Sequence, residues 1–138
     1  MDKNKISKLL RLKKFKLEEE QLKLSILERR KQDLLQQIRD IEECALKERA
    51  FGSKMHNVGN ALEYYMRRVE IEKSTIKEKI TAMAVDIETA REDVNKAFID
   101  KKSIEKVIEK IEDKEKIIGN RQEQKKMDEL VGNDFFKK

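Results

Sequence analysis

The sequence predicts an all-α protein built as an antiparallel coiled-coil hairpin whose second helix overhangs the first. Three observations lead there. The composition is that of long charged helices: 44% of the 138 residues are charged, 38% are hydrophobic, and there is no Pro and no Trp. Apolar residues recur at a 3.5-residue period over most of the chain. One short glycine-containing stretch, AFGSKMHNVGNA at residues 50 to 61, separates two long runs that contain neither Gly nor Pro until Gly119.

The first helix is expected over about residues 5–51. With heptad position a at residue 10, its seam reads Leu10, Leu17, Leu24, Leu27, Leu34, Ile38, Ile41 and Ala45. Lys13, Glu20, Lys31 and Glu48 interrupt that seam. A turn is expected over about 52–59, because Gly52, Ser53, Asn57, Gly59 and Asn60 are helix-capping and turn-forming residues. Gly52 suits a C-terminal cap there, and Asn57 or Asn60 the next N-cap. The second helix is expected over about 60–131. Its seam runs Leu62, Met66, Val69, Ile76, Ile80, Met83, Ile87, Ala90, Val94, Ala97, Ile104, Ile108, Ile111 and Ile118. Lys73, Lys101 and Glu115 interrupt it. A tail of residues 132–138 begins at Gly132, and the whole chain reads as one coiled-coil domain.

Both runs share one heptad register. A continuous helix in a parallel homodimer, acting as a scaffold or tether, is therefore the alternative architecture. Three features favour folding back. Gly52 and Gly59 would both occupy a positions in a continuous seam and leave it empty. The stretch is crowded with turn residues. In a parallel dimer Lys31, Lys73 and Lys101 would each face their own copy, whereas a hairpin lets them meet apolar or acidic residues. With the turn near residue 56, facing positions add to about 111, which sets Met1 opposite about residue 110. About 20 residues of the second helix then extend past the first, carrying Ile111, Ile117, Ile118, Met127, Leu130 and Val131. An apolar stripe with no partner in its own chain is a candidate surface for another molecule.

Charge and motifs narrow the function. The net charge is +5, and residues 1 to 16 hold Lys3, Lys5, Lys8, Arg11, Lys13, Lys14 and Lys16 against Asp2 alone. The rest is nearly balanced, as on a solvated helix surface. Catalysis has little to work with: His56 is the sole histidine, Cys44 the sole cysteine, and no metal, phosphate-loop or redox motif is present. No enzyme activity, cofactor or metal is expected. A single cysteine fits a reducing, cytoplasmic setting. Nucleic acid is not an expected partner, because base-stacking aromatics and a continuous basic stripe are both missing. KISKLLRLKKFKL is basic and amphipathic, but its apolar residues read as seam residues, so only peripheral membrane association is expected. Tyr64 and Tyr65 flank the seam residue Met66 beside Arg68, a combination enriched at protein interfaces. Phe135 and Phe136 are a candidate docking element in the tail.

The opening KLLRLKKFKLEEEQLKLSILERR, the glycine-containing turn and the ending EKIEDKEKIIGNRQEQKKMDELV resemble the FliJ family over nearly the whole length. The LxRLKKF and RxxQKxMDE portions are the most specific. FliJ-like proteins are small antiparallel coiled coils of the flagellar type III export apparatus, and injectisome stalk proteins share their shape. They are similar to the central stalk of rotary ATP synthases. The resemblance implies a non-enzymatic monomer whose open end enters the hexameric export ATPase. It also implies contact with the membrane export gate protein, with export chaperones as further partners. The location implied is cytoplasmic, peripheral at the cytoplasmic face of the inner membrane. On this sequence the resemblance assigns ring contact to Arg11, Lys13, Lys14, Ile117, Ile118, Arg121, Gln124, Met127, Asp128 and Glu129. Gate contact falls to Tyr64, Tyr65 and Arg68.

Overall fold

A computed structural model describes residues 2–54 and 59–136, with side chains described except at 133–136. Two helices account for it: α1, Lys3–Gly52, and α2, Gly59–Phe136. His56 and Asn57 of the expected turn lie outside the described residues, as do the side chains of Phe135 and Phe136.

Helix α1 starts where a capping residue allows it. The Asp2 carboxylate accepts the Asn4 backbone N–H at 3.2 Å, and the Asp2 carbonyl accepts N–H groups from Lys5 and Ile6. These bonds satisfy donors that the first helical turn leaves open. At the other end, Ser53 N–H donates to the Arg49 carbonyl and Ser53 Oγ to the Ala50 carbonyl. Helix α1 ends at Gly52, as expected of a C-terminal cap, but no described glycine has positive φ, so it ends there without a left-handed residue. The role of the glycine is close approach: a Cβ built on Gly52 would lie 2.8 Å from Leu62 Cδ2. Asn60, the other candidate cap, lies inside α2.

The described residues group into two compact units. One holds residues 1–17 and 96–138, the other residues 18–95. Each contains a segment of both helices, packed antiparallel. In the 18–95 unit the core is Ile38 and Ala45 of α1 against Val69, Ile76, Met83, Ile87 and Ala90 of α2. In the other unit Ile6 and Leu17 of α1 and Ala97 of α2 are buried. All of these are seam positions, and burying an Ile or Val this fully is worth about 1.5–3 kcal/mol relative to exposure. Ile6 continues the first seam one step ahead of its expected start at Leu10, and it is among the most buried residues.

The charged interruptions of the seam show why the chain folds back. Lys73 Nζ lies 3.3 Å from Glu42 of α1 and 3.5 Å from Glu70 of its own helix. Lys13 reaches Asp100 across the seam at 3.9 Å. Arg91 pairs with Glu28, and Lys3 with Glu115. Lys101 instead pairs along its own helix with Glu105, at 3.6 Å. These cross-helix pairs among the described residues join α1 to α2 in antiparallel register, and the continuous parallel rod is set aside.

The same pairs correct the expected register. Facing residues in these pairs add to about 116 rather than 111, although the break between the helices, after Gly52 and before Gly59, lies where the sequence places it. Ile111 is consequently half-buried in the seam and is not part of the overhang. The overhang starts after Glu115, the residue that meets Lys3. Helix α2 also continues through Gly132 to Phe136, where the sequence reading ended it at 131. A single glycine costs about 1 kcal/mol in a helix and does not by itself stop one.

Candidate partner-binding surfaces

In the unit formed by residues 1–17 and 96–138, α1 begins at Lys3, so α2 beyond Glu115 has no α1 residue opposite it. Its large apolar side chains there lie open: Ile117, Ile118, Met127, Leu130 and Val131 are between 51% and 66% exposed. Arg121, Gln124, Asp128 and Glu129 are exposed on the same segment, and Gln124 Nε2 donates to Asp128 Oδ1 at 3.4 Å. A helix this polar with unburied Ile, Met, Leu and Val leaves apolar area that a second surface could remove from water.

The α1 residues predicted beside it divide in two. Arg11 and Lys14 are exposed, whereas Lys13 sits half-buried in the seam with its ammonium turned to Asp100. Lys13 therefore serves the packing of this unit as well as its charge. Glu105 lies between Lys102 and Lys101, at 3.2 and 3.6 Å. A hydrogen bond from Lys102, reinforced by the charges of both lysines, holds its carboxyl below the usual range. Both lysines also approach the Phe98 ring, at 5.6 and 5.9 Å from its centroid.

In the 18–95 unit, Tyr64 is two-thirds exposed and Arg68 is exposed. Tyr65 is half-buried and lines a shallow groove with Ile41, Cys44, Arg68, Val69 and Glu72. Of the three predicted residues, Tyr65 and Arg68 share this groove, and Tyr64 lies outside its lining as the ring more open to a partner. Cys44, in the lining of the groove, is exposed and forms no disulfide among the described residues. No three His, Cys, Asp or Glu side chains among the described residues converge as a metal site. No described helix is long and apolar enough to cross a membrane.

A family model described as Flagellar FliJ protein matches residues 2–138. The chain belongs to the FliJ family. As a FliJ family member it is a structural component of the flagellar export apparatus, of the stalk type. No curated protein and no solved structure matches the chain.

Sequence reading missed a second set of apolar residues. Leu9, Leu12 and Phe15 of α1, and Ile71 and Val85 of α2, are exposed and lie off the seam. A period of 3.5 assigns apolar residues to one stripe, and these fall between its steps. The signal that could have found them is Leu9, Leu12 and Phe15 at i, i+3 and i+6, a spacing that drifts off any a/d seam.

Proposed function

We propose that this chain is a non-enzymatic, monomeric stalk that seats the unit of residues 1–17 and 96–138 in the ring of the export ATPase and links that ring to the membrane export gate. The observation that carries the reading is the unpartnered apolar run Ile117, Ile118, Met127, Leu130 and Val131 on α2, in the same unit as exposed Arg11 and Lys14. A ring pore lined by loops would cover the apolar side chains and offer carboxylates to the basic ones. Ile117, Ile118, Met127, Arg121, Gln124, Asp128 and Glu129 supply the ring contacts from α2. Tyr64, Tyr65 and Arg68 of the other unit face the gate, and export chaperones are a further class of partner. The location that follows is cytoplasmic, peripheral at the inner membrane.

The test is ATP hydrolysis by the export ATPase with and without the full chain. The wild-type chain stimulates hydrolysis, and a variant carrying Ile117→Asp, Ile118→Asp and Met127→Asp does not. All three residues are exposed, so the variant keeps its helicity by circular dichroism. Full stimulation by the variant would remove the overhang from the ring contact. A mass twice that of the chain by light scattering, abolished by the same variant, would assign the overhang to a second copy instead.

A further inference from the structure

We propose that the first turns of α1, residues 5–16, carry a docking face for an anionic lipid surface. The inference deepens the membrane location in the reading above, yet it needs neither the ring nor the gate. In KISKLLRLKKFKL the structure sorts the apolar residues into two groups. Ile6 and Leu17 are buried in the seam and Leu10 is half-buried there, Leu9 lies on its flank at 38% exposure, and Leu12 and Phe15 are not used by it. Leu12 and Phe15 are 64% and 66% exposed. The basic residues sort likewise. Lys3 and Lys13 meet carboxylates of α2, and Lys5, Lys8, Arg11 and Lys14 are exposed. The outward face of this segment therefore holds Leu12 and Phe15 interleaved with Lys5, Lys8 and Arg11, with Leu9 and Lys14 on its two flanks, and residues 5–16 hold no acid.

Two physical arguments select a lipid surface over a partner helix. The first is charge: an anionic leaflet complements this all-cationic face, and lysines beside buried apolar groups extend their stems so that the ammonium reaches the headgroups. The second is shape. At 100° per residue, Leu9, Leu12 and Phe15 spread over about 120° of the helix circumference. A partner helix reads a narrow stripe at i, i+3, i+4 and i+7, whereas an interface between headgroups and acyl chains takes up a wide arc. Seating in a ATPase ring would cover the same face, so ring and lipid contact are alternatives in time.

The test uses the full chain and vesicles without any other protein. Because the chain has no Trp, Phe15→Trp gives a single fluorescent reporter at the proposed face. Vesicles containing phosphatidylglycerol should sediment the protein about tenfold more strongly than pure phosphatidylcholine vesicles, and the Trp emission should shift to the blue. A variant with Leu9→Ser, Leu12→Ser and Phe15→Ser should lose binding about tenfold while keeping all its lysines. Absence of binding overturns the proposal, as does equal binding to both vesicle types. Binding with no blue shift, unchanged in the triple serine variant, overturns it too, since it would be simple charge adsorption. If vesicles are ignored but the triple serine variant loses its hold on the export ATPase, the face is a protein site. Failure on vesicles leaves the stalk reading intact, because that reading is measured by ATP hydrolysis.

Discussion

Reversing Lys73 tests the antiparallel register of the 18–95 unit most sharply. Its side chain is only 16% exposed, and its ammonium lies between Glu42 of α1 and Glu70 of α2. Lys73→Glu would place a third carboxylate in that half-buried position. Removing one cross-helix attraction and adding two repulsions should cost about 1–2 kcal/mol, discounted because Glu42 is about half exposed. Glu42→Lys alone sets two lysines face to face and should cost somewhat less, about 0.5–1 kcal/mol, because its own position is open to solvent. The double exchange restores an attraction with the opposite sense. It should be more stable than the sum of the single changes predicts by at least about 0.5 kcal/mol. The assay is urea unfolding followed by helical circular dichroism for wild type, both single variants and the double exchange. The coupling should shrink in high salt, as screening requires. Strictly additive effects would mean that Lys73 and Glu42 are not neighbours, and the register would then be wrong.

Other consequences are simpler to state. Ile87→Ala should destabilise by about 2–5 kcal/mol because Ile87 is buried in the seam, whereas Val85→Ala, on the open face two residues away, should stay within about 0.5 kcal/mol in the same unfolding assay. Gly119→Ala should raise helicity and slow amide exchange in the overhang, by up to about 1 kcal/mol locally, since a Cβ there meets nothing within 4 Å. Gly52→Ala must displace the Leu62 side chain and should be the less favourable of the two changes, read by unfolding midpoints. Glu105 should titrate below an ordinary glutamate in carboxyl NMR, and Lys102→Gln should bring it back towards that value. Its folded-state pKa is depressed, so its small contribution is present at neutral pH and lost as pH falls through that lowered value.

Much of the fold was legible because a seam is a one-dimensional pattern. Heptad phase alone located Leu17, Ile38, Ala45, Val69, Ile76, Met83, Ile87, Ala90 and Ala97, all of which are buried. Phase does not say which residue faces which. That depends on the path of the connection and the stagger of the two helices, and an error of about five in the facing sum moved Ile111 from overhang to seam. Glycine was read too strongly at Gly132, as a stop. Its cost in a helix is small against the many backbone hydrogen bonds on either side. The candidate surfaces were half legible. Exposure of Ile117, Ile118 and Met127 followed once the helices were known to differ in length. The open Leu12 and Phe15 did not, because neighbouring Ile6, Leu10 and Leu17 satisfied the same pattern. Lys13 was read both as an interruption of the seam and as a ring contact, and its seam position turns its ammonium towards Asp100.

Site-directed photo-cross-linking in a reconstituted mixture of this chain, the export ATPase and the export gate protein tests the central claim most directly. A photoreactive residue is placed at Met127 in one preparation and at Tyr64 in another, both exposed positions. The stalk reading predicts that position 127 cross-links to the ATPase and position 64 to the gate protein. Cross-links from position 127 to the gate, or to nothing while position 64 reaches the ATPase, would contradict it.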